Sequence, residues 1–189
     1  MSKVNYISFW IFDMKIIFYL FASFQILYAA AQGPYQINLD LTASKEDRLQ
    51  VVMNLPDIQE DEVEFHLPKI VPGTYRISDF GKFVSTFDAF DDLGKPLEVS
   101  KISVNKWLIS GKPSRIEYWI NDTFDRMEGY DENFLFEPGG TSFEADRNVF
   151  VLNNFGIIGY IDGYKEIPFE LRVLHSKDTY GATALDKNV

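Results

Sequence analysis

Few side chains of this chain are suited to metal or nucleophilic chemistry. There are two histidines, His66 and His175, and no cysteine, so thiolate catalysis, disulfides and cysteine-ligated zinc are excluded. A common type of zinc peptidase places two histidines one helical turn apart, with a glutamate between them as general base. Neither histidine stands in such an H-E-x-x-H pattern. We interpret both as surface or rim residues at strand ends, and we predict no catalytic or metal-binding residue in this chain.

An acidic stretch from Asp122 to Glu132 raises the possibility of a calcium site. The EF-hand register fails, because Gly129 as the sixth loop position puts Phe124 at the first position, where a carboxylate is needed. The sequence contains no G-x-S-x-G pattern, which would indicate a serine nucleophile. The acidic stretch is therefore interpreted as part of a long solvated loop, from Asp122 to Asp146, of the kind that carries function on β-scaffolds.

The most specific local pattern is LPKIVPGTYRISDF at residues 67–80. Two prolines stiffen its first half, and Pro72-Gly73 predicts a type II turn with the glycine at positive φ. The simplest interpretation is a strand end followed by a tight turn, with an Arg76–Asp79 ion pair holding it. We assign a structural motif to the prolines, the glycine and the aromatic and charged residues of this segment: Pro68, Pro72, Gly73, Tyr75, Arg76, Asp79 and Phe80.

The same segment resembles the P-x-x-x-P-G-S-Y-x-x-R-D-F region of the glycyl aminopeptidase family, which are zinc metallopeptidases of the gluzincin type. Thr74 stands here in place of the usual serine, and Ser78 where an arginine is common. The similarity continues through residues 87–97, 105–107 and 116–120. In such proteins this region is an N-terminal β-domain, followed by a thermolysin-like catalytic domain and often by a PDZ-like domain.

Since it lacks H-E-x-x-H and has only two isolated histidines, we expect this chain alone to have no enzyme activity and to bind no cofactor. The rest follows from the resemblance. The parent protein would be a zinc metalloaminopeptidase whose catalytic domain, with its zinc, lies beyond Val189. The β-domain would pack on that domain and help shape the cleft for a peptide substrate. The alternative is a free-standing secreted β-sandwich that binds a ligand or protein. Coding sequence downstream of codon 189 decides between them, since H-E-x-x-H supports the first and a stop supports the second.

The composition argues against a nucleic-acid-binding protein and favours a strand-rich domain with a packed core. The net charge is −10 and no cluster of lysines and arginines occurs, which argues against nucleic acid as a partner. Hydrophobic residues make up 46% of the chain and aromatic residues 16%. A chain of this composition has enough apolar surface for a packed core and favours strands.

The first 32 residues form a segment of their own. Residues 14–32 combine a basic start, an uncharged apolar run and the small-residue exit Ala29-Ala30-Ala31, as in a secretory signal peptide. Residues 1–13 are interpreted as a non-native extension. We therefore predict export to the periplasm or the medium. The alternative is an N-terminal membrane anchor that uses the apolar residues from Ile7 onward.

From Tyr35 onward, apolar and polar residues alternate, which indicates half-buried strands. The prediction is an all-β domain over residues 33–177, either a β-sandwich or a strongly twisted antiparallel sheet, with at most short helices at 77–83 and 154–158. Trp107 and Trp119 lie in strand-like segments and are expected in the core. Residues 178–189 are interpreted as the start of a linker. Segments with this alternation are 35–41, 49–55, 62–67, 84–90, 97–104, 106–109, 115–121, 148–152 and 169–175.

Overall fold

The computed structural model of the protein describes residues 33–46, 48–74, 76–124 and 139–186. The chain divides into two compact units, Met1–Gly33 and Pro34–Val189, and every element given below belongs to the second. No helix among the described residues is both long and apolar enough to cross a membrane.

The described part of the second unit is built almost entirely of strands, which confirms the predicted all-β class. Its strands are β1 (Tyr35–Asp40), β2 (Arg48–Asn54), β3 (Glu62–His66), β4 (Val84–Phe90), β5 (Glu98–Ser103), β6 (Lys106–Ser110), β7 (Arg115–Asn121), β8 (Ser142–Glu144), β9 (Val149–Val151), β10 (Tyr160–Ile161) and β11 (Phe169–Leu174). One short α-helix, α1 (Asn154–Ile157), and 3₁₀ turns at Leu41–Ala43, Phe80–Phe83 and Ala145–Arg147 complete the described elements.

Two large sheets and a small hairpin organise these strands. The five-stranded sheet has the order β11-β1-β2-β7-β4, the four-stranded sheet has the order β10-β3-β6-β5, and β8 pairs with β9. Neighbours are antiparallel except β1 and β11, which run parallel. The first sheet is therefore mixed, with one parallel pair among otherwise antiparallel neighbours.

The core lies between the two large sheets. Alternate residues of the central strands face inward, as the burial of every second residue in β2 and β7 shows. Phe65 of one sheet contacts Phe87 and Tyr118 of the other, with ring centroids 5.0 Å and 5.8 Å apart. Trp107 stacks on Phe87 at 4.9 Å. Such aromatic pairs contribute about 0.5–1.5 kcal/mol each beyond their buried area.

The two tryptophans of the strands have different environments. Trp107 is 3% exposed and belongs to the core, as predicted. Trp119 lies on the opposite face of the five-stranded sheet, half-buried, with the Arg48 guanidinium 5.8 Å from its ring. The prediction that Trp119 packs in the core was wrong, because its neighbours Tyr118 and Ile120 occupy the inward positions of β7.

Two buried tyrosines tie the five-stranded sheet to α1 and to β10 of the four-stranded sheet. The Tyr118 hydroxyl donates to the Ile157 carbonyl of α1, and the Tyr35 hydroxyl accepts from the Ile161 amide at 3.0 Å. Burial raises the pKa of both phenols, because a phenolate would lose its hydration there. Both rings are therefore uncharged structural anchors.

The predicted irregular loop from Asp122 to Asp146 needs a correction. Its last part contains β8 (Ser142–Glu144), which pairs with β9. Residues 125–138 of that prediction, together with the predicted signal peptide at 14–32, lie outside the described residues.

Candidate functional site

Residues 68–80, which we call the motif loop, leave β3 and return to the sandwich at a closed base. The Lys69 carbonyl accepts two hydrogen bonds there, from the Ser78 amide at 2.6 Å and the Asp79 amide at 3.0 Å. Two amides on one carbonyl bring Lys69 and residues 78–79 together and close the base of the loop. Tyr75 of the predicted motif lies outside the described residues.

The predicted type II turn is confirmed at the tip of the motif loop. The Val71 carbonyl accepts from the Thr74 amide at 3.1 Å and from the Thr74 hydroxyl at 2.8 Å. Gly73 is the third residue of this four-residue turn and has a φ of 90°. A Cβ at Gly73 would meet nothing within 4 Å, so the glycine is required by its backbone conformation and not by crowding.

Asn105, which sequence reasoning did not single out as a site residue, holds the motif loop at both ends. Its side-chain amide donates to the Asp79 carboxylate at 2.6 Å and accepts from the Gly81 amide at 2.9 Å. Its carbonyl accepts from the Leu67 amide at 2.9 Å. Asn105 is only 2% exposed and its bond to the Gly81 amide is buried, so this side chain holds the loop from within the protein.

The exit of the motif loop is packed tightly against its surroundings. A Cβ on Gly81 would lie 2.0 Å from the Val104 carbonyl oxygen, so only glycine allows this approach of the loop to the β5–β6 turn. Phe80, the last residue of the predicted motif, is fully buried. Its ring lies against Gly156 of α1, where a Cβ would be 2.9 Å from the ring.

The motif loop presents apolar and cationic groups to solvent, both at its tip and beside its base. Ile70 is 44% exposed and Ile77 is 68% exposed, and Pro72 and Arg76 are also exposed. The structure gives Asp79 a partner in Asn105, whereas the predicted Arg76–Asp79 ion pair stays a prediction. A firmly held loop with exposed aliphatic side chains is suited to contact with another surface.

The flanks of residues 125–138 are fixed by a second buried network. Thr123 and Thr141 exchange amide, hydroxyl and carbonyl hydrogen bonds of 2.8–3.0 Å, and both are 1% exposed. The Asp122 carboxylate accepts from the amides of Phe124 and Phe143. The Asn153 side-chain amide donates to the Gly139 carbonyl at 2.8 Å. The described residues 122–124 and 139–143 are therefore held against each other and against Asn153.

The motif loop and the network around Thr123 and Thr141 lie at the same end of the sandwich. We call this end the loop end, and it comprises the described residues of 68–83, 121–124, 139–143 and 153–157. The Asn121 side-chain amide donates to the Phe83 carbonyl at 3.0 Å, which links β7 to the exit of the motif loop. Phe80 contacts α1, and Asn153, the N-cap of α1, belongs to the second network. The predicted motif and the predicted functional loop thus share one supporting framework.

The two histidines lie at strand ends, as predicted, and in different surroundings. His66 ends β3, where its Nε2 lies 2.8 Å from Glu64, and Lys106 lies 2.9 Å from the same carboxylate oxygen. Hydrogen bonding from Lys106, and secondarily from His66, lowers the pKa of Glu64. His175 is exposed after β11 and contacts Thr179. Within the described ranges, no group of three or more His, Cys, Asp or Glu side chains is placed to hold a metal ion.

The chain is similar in sequence to a family of peptidase domains and in fold to a solved aminopeptidase structure. The family model for the Peptidase M61 N-terminal domain matches residues 36–189. No curated protein matches the chain. A crystal structure of an aminopeptidase N family protein from Idiomarina loihiensis superposes with a TM-score of 0.54 and 22% sequence identity. The match covers 74% of this chain and 22% of that protein, so this chain spans about a fifth of its length. At this identity the similarity concerns the fold.

Proposed function

Because the chain belongs to the Peptidase M61 N-terminal domain family, we propose that it serves as the non-catalytic β-domain of an exported, glycyl-aminopeptidase-like zinc metallopeptidase. In this proposal the loop end packs on the catalytic domain of the parent protein and helps shape the cleft that receives a peptide. The family match over residues 36–189, which includes the whole motif loop, is the observation that carries the proposal.

The motif loop is the part of the loop end best suited to that contact. It exposes Ile70 and Ile77, whose burial against a partner would contribute about 25 cal/mol per Å² of apolar surface removed from water. Its base is already held by Lys69 and Asn105, so little conformational entropy is lost when the loop docks.

Zinc chemistry belongs to the catalytic domain in this proposal. The described residues of this chain do not supply a zinc ligand set, since no three suitable side chains converge among them and zinc sites in proteins need three or four ligands. The contribution of the β-domain is therefore to position and enclose, and the peptide substrate reaches it only through the catalytic domain.

The docking proposal is tested by supplying the catalytic domain of an M61-family peptidase from the same genome as a separate chain and measuring its association by titration calorimetry. We expect Ile77→Asp to weaken association by about tenfold or more, because a charge would be buried at the interface. Leu93→Asp is the matched control. Leu93 is 88% exposed in the turn that follows β4, at the far end of that strand from the motif loop. Equal effects of the two variants, or no association at all, would refute docking through the loop end.

Export is tested separately. The signal-peptide interpretation of residues 14–32 expects the mature chain to begin near Gln32 or Gly33. N-terminal sequencing of exported protein checks this, and retention of Phe18 or Leu20 would support the membrane-anchor alternative. A stop after codon 189 followed by unrelated sequence would favour the free-standing secreted β-sandwich.

A further inference from the structure

The two large sheets end in four outer strands, and three of these carry features that hinder further strand pairing. β4 and β5 each contain a register shift, between Val84 and Thr86 and between Lys101 and Ser103. β10 has only two residues. Bulges, charged edge residues and very short strands are the usual means by which proteins keep sheet edges from pairing with other chains.

The fourth outer strand, β11, has six residues and no register shift, and its two charged residues, Glu170 and Arg172, have opposite signs. It pairs with β1 in an unbroken register from Tyr35–Phe169 to Asp40–Leu174, and no described strand pairs with its other side. Four of its six residues are apolar, and Phe169 and Leu174 are 39% and 56% exposed. An edge of this kind is a template for pairing with a further strand.

The hydrogen-bond pattern between β1 and β11 shows which backbone N–H and C=O groups of β11 point away from β1. The Tyr35 amide donates to the Pro168 carbonyl at 3.0 Å. In a parallel pair, the N–H and C=O of one residue point to the same side, and successive residues alternate. Even-numbered residues of β11 therefore face β1. The residues whose N–H and C=O groups point to the open side are Phe169, Leu171 and Val173.

We propose that the open edge of β11 pairs with β11 of a second copy of this chain, antiparallel and with a two-fold axis at Leu171. In this register Phe169 lies opposite the Val173 of the second copy, and Leu171 lies opposite itself. Every outward N–H and C=O group of these residues then gains a partner. A two-fold interface of this kind repeats each contact, as closed dimers require.

Charge complementarity selects a second copy as the occupant. Glu170 and Arg172 are both exposed, lie on the same face of β11 because they are two residues apart, and are equidistant from Leu171. In the proposed register each Glu170 lies directly opposite an Arg172 of the other copy, in both halves of the dimer. Opposite charges directly across an antiparallel pair stabilise it, whereas like charges destabilise it.

Hydrogen exchange of the full chain over a concentration series tests the pairing with an internal control. We expect the outward amides of Phe169, Leu171 and Val173 to exchange more slowly as the chain becomes more concentrated. The amides of Glu170 and Arg172, which already bond to β1, should be protected at every concentration. Sedimentation equilibrium should show a monomer–dimer equilibrium over the same range. A chain that stays monomeric, with outward amides that exchange rapidly at every concentration, would overturn the proposal.

Charge-reversal variants test the register. Glu170→Arg and Arg172→Glu should each weaken self-association by about tenfold or more, because each turns both cross-strand pairs into like-charge pairs. An equimolar mixture of the two variants should dimerise again, since one supplies only positive and the other only negative charges. Unchanged thermal unfolding midpoints at low concentration show that the monomer fold is intact. Self-association of unchanged strength in the charge-reversal variants would refute pairing with a second copy. So would outward amides that become protected only when the catalytic domain is added.

Discussion

Asn105 provides the sharpest test of how the motif loop is held. Asn105→Ala removes the hydrogen bond to the Asp79 carboxylate and leaves the Gly81 amide without its acceptor. A hydrogen bond to a charged group contributes about 1.5–3 kcal/mol, and an unsatisfied buried amide costs about 1–3 kcal/mol. Asp79 is only half-buried, so water partly replaces the hydrogen bond that its carboxylate loses. We therefore expect a loss of about 2–5 kcal/mol in the free energy of unfolding.

Asn105→Asp is the matched variant that separates the two hydrogen bonds. It keeps an acceptor for the Gly81 amide but sets a second carboxylate against Asp79, 2.6 Å from where the asparagine nitrogen lies. Repulsion raises the folded-state pKa of the carboxylate pair above its unfolded value. The variant should therefore be most destabilised at neutral pH and should regain stability relative to wild type as the pH falls through that raised pKa.

The assay for both variants is urea unfolding followed by tryptophan fluorescence, at pH 7 and at pH 5. A loss below about 1 kcal/mol for Asn105→Ala would show that the motif loop does not depend on this anchor. An Asn105→Asp variant whose stability relative to wild type does not change between the two pH values would contradict the proximity of the two side chains.

Three further predictions use the same unfolding assay. Gly73→Val should cost about 1–3 kcal/mol, because valine is strained at φ of 90°, whereas Gly181→Val, at an open position without positive φ, should stay within about 0.5 kcal/mol; equal effects would refute the type II turn. Tyr118→Phe should cost about 1–2 kcal/mol by leaving a buried carbonyl of α1 without its donor, and no loss would contradict that bond. Lys106 lowers the pKa of Glu64 in the folded chain. The contribution of Glu64 to folding stability is therefore present above its unfolded-state pKa and is lost as the pH falls through its folded-state pKa. Glu64→Gln should reduce this loss of stability in acid, and an unchanged pH dependence of stability would refute the link.

Much of the fold was predictable because alternation of apolar and polar residues reports directly on half-buried strands. β7 was predicted at its observed bounds, Arg115–Asn121, and most other predicted strands agree within two residues. β10 was missed because two residues are too few to show a period of two. β8 was missed because its three residues lie in the stretch 122–146, whose acidic residues, glycines and proline favoured a loop. The parallel pairing of β1 with β11 joins residues more than a hundred positions apart, and no local pattern encodes it.

The candidate site was predictable only in part. Pro72-Gly73 specifies its turn through backbone chemistry alone, so the sequence predicted the positive φ of Gly73. The role of Asn105 depends on the tertiary approach of the β5–β6 turn to the loop exit, which also requires Gly81. Trp119 could have been placed correctly, since Ile116 and Ile120 fix the inward phase of β7.

Docking of the loop end on an M61 catalytic domain is measured by hydrogen exchange of the chain with and without that domain. We expect added protection at the non-proline amides of residues 70–77 when the catalytic domain is present. Exchange in the β4–β5 turn, residues 91–95, should not change. Protection confined to residues 91–95, or absent from residues 70–77 under conditions where the two chains associate, would show that the loop end is not the docking surface.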